Sequence, residues 1–180
     1  MNRRITLAGL AGLALLALSL PARADLSAVS PTGFVVTFRD EVKVEPAQAW
    51  QAIAQLPRWW KGSHTYSGQA SNLSLDLAAG GCWCERWGDG NQVVHGQVAA
   101  VLPGRMLRLS AALGPLQELA VNGMLTLVTS ATEGKTFVRL TYRVSGDAHA
   151  ALDKLAAPVE QVMAEQYKRL KALIETGKPD

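Results

Sequence analysis

Apolar residues recur at every second position through most of this chain and then, near its end, at helical spacing. In "FVVTFRDEVKV" the residues Phe34, Val36, Phe38, Val42 and Val44 are apolar, and Thr37, Arg39, Glu41 and Lys43 alternate with them. A period of two is the mark of a strand with one buried face. Asp40 alone breaks it, being an acid on the apolar side with no charge partner among Arg39, Arg139 and Arg143, which alternate outward. "NLSLDL", "CWCERW", "VVHGQVAAVL", "RMLRLS", "NGMLTLVT" and "TFVRLTYRV" repeat the pattern, with turns such as "AAGG" and "GDGN" between them. Seven strands joined by short hairpin turns make an antiparallel sheet. After the first strand, "EPAQAWQAIAQL" reads as a helix entered at Pro46, with Trp50, Ile53 and Leu56 inward and Pro57 as its stop. "RWWKGSHTYSG" follows as an aromatic-rich connection. The last segment, "PVEQVMAEQYKRLKALIETG", sets Val159, Val162, Met163, Gln166 and Leu170 on one helical stripe, started or kinked at Pro158 and stopped at Gly177. That stripe has one economical partner, the inner face of the curved sheet, so the fold class is α+β.

The first residues set a different constraint. "MNRRITLAGLAGLALLALSLPARA" joins a basic start, a Leu/Ala run and the small-x-small sequence Ala22-Arg23-Ala24, the form of a secretory signal cleaved after Ala24. The apolar run is shorter than the roughly 20 residues a membrane span needs, so no stable membrane insertion is expected once the signal is gone. The expected mature chain, residues 25–180, is one domain, secreted or periplasmic. Arg3, Arg4 and Arg23 leave with the signal and no acid does, which takes 18 basic and 15 acidic residues to an even balance. A neutral domain offers no electrostatic reason to bind nucleic acid.

Several stretches together carry a resemblance: "EPAQAWQAIAQLPRWW", "GGCWCERW", "HGQVAAVLPGRMLRLS" and "GMLTL" followed by "FVRLTYRVSG". With this order of elements the chain resembles the START-like, or SRPBCC, superfamily, in the branch named after activators of the heat-shock ATPase and often labelled polyketide cyclase. The resemblance implies a helix-grip fold over nearly all of the mature chain, with two short helices after the first strand and a curved sheet wrapped on the C-terminal helix. It also implies a cavity between sheet and helix for small apolar or amphipathic molecules. Cys82 and Cys84 depart from the commoner pattern of that branch, and the export signal argues against a cytosolic co-chaperone role.

Within that frame the candidate ligand-binding residues are Trp60, Trp83, Glu85, Trp87, Leu140, Tyr142 and Met163. All five tryptophans lie between positions 50 and 87. Trp83 and Trp87 share a strand face with Glu85 between them, so a concave placement would aim two indoles and a carboxylate at the cavity, the carboxyl raised by desolvation. The acid/base candidates are Glu85, His64 and Tyr66. His95 reads as an ordinary sheet residue. "AALGPLQEL" (111–119) reads as core packing through a short helix, or as a lid shaped by Gly114-Pro115.

The two cysteines are one residue apart. On a regular strand such residues point the same way with Cα atoms about 6.6–6.8 Å apart, whereas a disulfide needs Cβ atoms about 3.8 Å apart. A bridge therefore requires a bulge or bend. A soft-metal site would need a third ligand that is not evident, so no metal is assigned. The reading is two free or weakly linked thiols on the face opposite Trp83. There is no nucleophile triad and no phosphate-cradling glycine loop, and no cofactor is expected. The expected function is an exported protein holding a small apolar or aromatic molecule. The alternatives are a cyclase- or dehydratase-like enzyme using a cavity carboxylate or histidine, and a protein-interaction module using residues 111–119.

Overall fold

The structure, a computed structural model, describes residues 25–180. The signal read at residues 1–24 lies outside the described residues. The chain order is β1 (Asp25–Ser30), β2 (Gly33–Val42), α1 (Pro46–Ala54), α2 (Leu56–Trp59), β3 (Leu73–Leu75), β4 (Cys82–Trp87), β5 (Asn91–Leu102), β6 (Met106–Ser110), β7 (Asn122–Thr132), β8 (Lys135–Ser145) and α3 (Leu152–Thr176). The strands form one open antiparallel sheet, ordered β1-β2-β8-β7-β6-β5-β4-β3. With α3 lying on its inner face, this is a helix-grip arrangement of class α+β.

The expected seven strands are all present, and β1 makes an eighth. It hangs on the outer edge of β2 with most of its residues exposed. A strand that packs only Leu26 against the core has little need of period-two hydrophobicity, so "DLSAVS" carries no such signal. The expected helix also divides. α1 ends at Ala54, and Pro57, read as its stop, sits inside the first turn of α2, where a missing N–H costs nothing. At the other end of the chain α3 begins at Leu152, so Pro158 lies within it rather than at its start.

The core runs under α3. Phe34, Val36 and Phe38 of β2, Val138 and Leu140 of β8, and Leu125 and Leu127 of β7 turn inward against Tyr167, Leu170 and Ile174. Asp40, which had no partner in the strand pattern, finds one on the helix: Lys171 Nζ donates to its Oδ1 at 3.0 Å. Periodicity along a strand cannot show a charge that arrives from an element more than a hundred residues away.

The pairing is least regular along β5. Its pairing shifts register twice, opposite Trp83/Cys84 and again between Val98 and Ala100. At the first shift Cys84 pairs with Val94 and Trp83 with Gly96, which leaves His95 as the extra residue of a β-bulge. Across from it, Cys82 and Cys84 are joined in a disulfide with Cα atoms 5.4 Å apart. Of the two alternatives read, free or weakly linked thiols, the free one is thereby corrected. The local bend that a bridge required is present, and it shortens the Cα separation below that of an extended strand.

Candidate functional site

Between the sheet and the first half of α3 lies a cavity of about 610 Å³. Leu155, Pro158, Val159, Val162 and Met163 of α3 form one wall. The segment after β6 forms a second, with Leu113, Gly114, Pro115 and Leu116 facing in. The third is the connection after α2, through Trp60, Ser63, His64, Thr65 and Tyr66, and the sheet contributes His95 and Tyr142. The lining is apolar with a few polar groups, the make-up of a small-molecule site.

Each wall is fixed by identifiable contacts. The segment at 111–113 is pinned to the sheet by Tyr142, whose buried hydroxyl donates to Ala111 O at 2.9 Å and accepts from Leu113 N at 3.1 Å. Gly123 makes this approach possible, since a Cβ there would clash with the Ala111 carbonyl. From this anchor the chain enters a 3-10 turn, Gly114–Gln117, that buries Leu116 and leaves Leu119 exposed. The loop at 60–68 is held from two sides. Towards the helix, Lys61 N donates to the buried Gln166 Oε1 at 2.7 Å, Lys61 Nζ pairs with Glu165, and His64 Nε2 lies 2.9 Å from Glu165 Oε2. The Lys61 and His64 bonds hold the Glu165 carboxyl below its ordinary pKa. Towards the sheet, Glu85 accepts from Tyr66 N at 3.0 Å and Ser67 N at 2.6 Å.

Glu85 is fully buried, and it has a third partner in His95 Nε2 at 2.8 Å from Oε2. Burial opposes its ionisation, but the bonds from Ser67, the Tyr66 amide and His95 outweigh burial and lower its pKa. This reverses the shift expected from desolvation alone, because a strand pattern shows burial and not the donors that the loop brings. An ionised carboxylate only accepts, so His95 Nε2 carries the proton it shares with Glu85. The imidazole also stacks on Trp83, with ring centroids 5.3 Å apart and planes at 29°. Trp83 in turn meets Trp60 edge-on at 4.8 Å.

Of the sequence candidates, Trp60, Tyr142, Met163, His64 and Tyr66 reach the cavity wall. Trp83 and Glu85 stand behind His95, supporting it without lining the space. Leu140 is sealed in the core, and Trp87 is half-buried outside the lining. The hydroxyl of Tyr142 is spent on the backbone, and burial raises its pKa. His95 is the residue that sequence reasoning missed. In a regular β5, Val94, Gly96 and Val98 would share the inner face and His95 would point out. The bulge inverts this, leaving Val94 53% exposed and His95 4% exposed. The doublet Val93-Val94, breaking the alternation just before His95, is the only trace of it in the sequence.

Solved structures share this architecture. The Aha1 dimer from Colwellia psychrerythraea is 22% identical over 80% of this chain and 98% of its own, with a TM-score of 0.55. CalU16 from Micromonospora echinospora is 15% identical, covering 88% of this chain and 86% of its own, at a TM-score of 0.58. A protein from Rhodobacter sphaeroides is 21% identical over 84% and 98%, at 0.56. At such identities the likeness is one of fold. No family model matches the chain, and no curated protein does.

Proposed function

We propose that this chain is an exported protein of the START-like superfamily that holds a small apolar or aromatic molecule between its sheet and the first half of α3. The observation that carries the reading is the cavity itself, about 610 Å³ and walled mainly by aliphatic and aromatic side chains on three separately anchored segments. Burying a ligand's apolar surface there is worth roughly 25 cal/mol per Å². The sequence resemblance and the shared fold of the solved neighbours support it. Export is supported by the leader-like residues 1–24 and by the Cys82–Cys84 disulfide, a bond that persists in oxidising compartments. No described helix is long and apolar enough to cross a membrane.

The test is a titration of the mature chain with an aromatic probe such as 1-anilinonaphthalene-8-sulfonate, following quenching of tryptophan fluorescence. Saturable binding by the wild type is expected, with loss in Val162→Trp, which fills the cavity from the helix side. Equal binding by the two proteins would place the probe elsewhere and remove the reading.

A further inference from the structure

The pair Glu85–His95 exceeds what the architecture requires. An anchor for the loop at 60–68 needs only a carboxylate accepting from Tyr66 N and Ser67 N, and both bonds are made. A core at this position would be more stable with apolar residues than with an ionised acid and an imidazole, both withdrawn from water. Yet three devices converge on one ring. The bulge in β5 turns His95 to the concave side, Trp83 stacks against its face, and Glu85 binds Nε2. The other ring nitrogen, Nδ1, has no hydrogen bond to any described residue and is not among the sealed, unpartnered polar atoms. In the neutral imidazole whose Nε2–H is held by the carboxylate, Nδ1 is the one with the lone pair. His95 lines the cavity. A fixed carboxylate, an oriented imidazole whose second nitrogen has no hydrogen-bond partner among the described residues, and a place in the lining of an apolar cavity are the elements of a general base.

We propose that His95 is a catalytic base towards the cavity, with Glu85 as its positioning residue, and that it takes a proton from a carbon next to the carbonyl of a small aromatic ketone. The proposal rests on the ligand-holding reading of the same cavity. In the step, the α-C–H bond breaks, its proton passes to Nδ1 and its electron pair moves onto the carbonyl oxygen as the enolate. Glu85 faces the imidazolium formed. Solvent exchanges the Nδ1 proton while the enolate is held. Return of a proton from Nδ1 to the α-carbon then gives isotope exchange, and return to a conjugated position gives isomerisation. Either regenerates the neutral ring with no oxidant or reductant.

The experiment uses 2-tetralone in D₂O with the mature chain, following deuterium entry at its α-carbons by proton NMR and binding by calorimetry. The wild type is expected to bind the ketone and to accelerate exchange about 100-fold or more over buffer, the scale of a positioned base. His95→Gln and His95→Asn should return exchange to the buffer rate while still binding. Glu85→Gln should lower the bound-state rate at least about tenfold and change affinity less than about twofold, a split that a merely structural role would not produce. Binding with exchange at the buffer rate, or acceleration that survives in both His95 variants, overturns the proposal and leaves the ligand-holding reading standing. Absence of binding removes that reading for aromatic ketones, and the proposal with it.

Discussion

Along α3 the same helix meets the same sheet in two ways. From Gln166 to Ile174 the contact is closed: Tyr167 stacks on Phe38 at 5.1 Å with planes 20° apart and donates to Val138 O at 2.9 Å, and Leu170 is fully buried. From Leu155 to Met163 the contact is hollow, and Leu155, Val159 and Val162 are only half-buried because they face the cavity. The closed half is secured by shape. The hollow half is secured at its rim, by the ties of Lys61 and His64 to Glu165, of Lys61 N to Gln166, and of Tyr66 and Ser67 to Glu85. Polar rim contacts hold walls apart at fixed distances, which apolar packing, being non-directional, does not do. Stability and ligand capacity are thus separated along one helix.

The largest expected effect divides the two halves directly. Tyr167→Ala, in the closed half, should cost about 3–5 kcal/mol by leaving a cavity in a packed core. Val162→Ala, in the hollow half, should cost under about 1 kcal/mol, since it widens a space that already exists. Urea unfolding of both variants measures this, and equal losses would erase the distinction between the halves.

Next in size is the buried carboxylate that anchors the loop at 60–68. Glu85→Gln should destabilise by about 2 kcal/mol, the scale of hydrogen bonds to a charged group. Its pH dependence has a definite sign. The folded carboxyl titrates below the ordinary 4.5, so Glu85 stabilises the fold above that value. That contribution falls as the pH drops through 4.5 and is gone below the lower folded value. The wild type should therefore lose more stability than Glu85→Gln on acidification through this window, as unfolding curves at successive pH values would show.

The disulfide comes third. A three-residue loop restricts the unfolded chain little, so Cys82→Ser with Cys84→Ser should cost about 1.5 kcal/mol. Its sharper consequence is local, since the bridge spans Trp83, on which His95 stacks. Hydrogen exchange at the β4–β5 amides should rise more in the double variant than that of β2 and β8, which follows only the global loss. The smallest effect is at Ala151, which enters α3 with φ +48°. A left-handed conformation suits glycine, so Ala151→Gly should stabilise by up to about 1 kcal/mol, read as a small rise in Tm.

Much of the fold was legible because periodicity is a local record of burial. The alternation in β2 and β8 and the stripe on α3 each mark one buried face, and a helix after a run of hairpins has one place to put that face. β1 was not legible because an edge strand that is mostly exposed, with only Leu26 packed against the core, shows no alternation. Tyr142 and Met163 were placed at the cavity from strand and helix face, and Trp60 as an aromatic of the connection after the first helix. Glu85 was singled out by its inward position, but its direction of titration follows from the Tyr66 and Ser67 amides, which approach from a loop.

His95 marks where local reading ends. By itself the sequence determined seven of the eight strands, the closing helix and the inward face wherever a strand runs without a bulge, because these follow from spacing along the chain. Only the tertiary structure decided that one extra residue in β5 turns His95 onto Glu85 and Trp83, that Lys171 meets Asp40, and that Cys82 and Cys84 can join. Each of these depends on register between strands or on approach across the fold, and a shift of one residue exchanges the two faces of a strand.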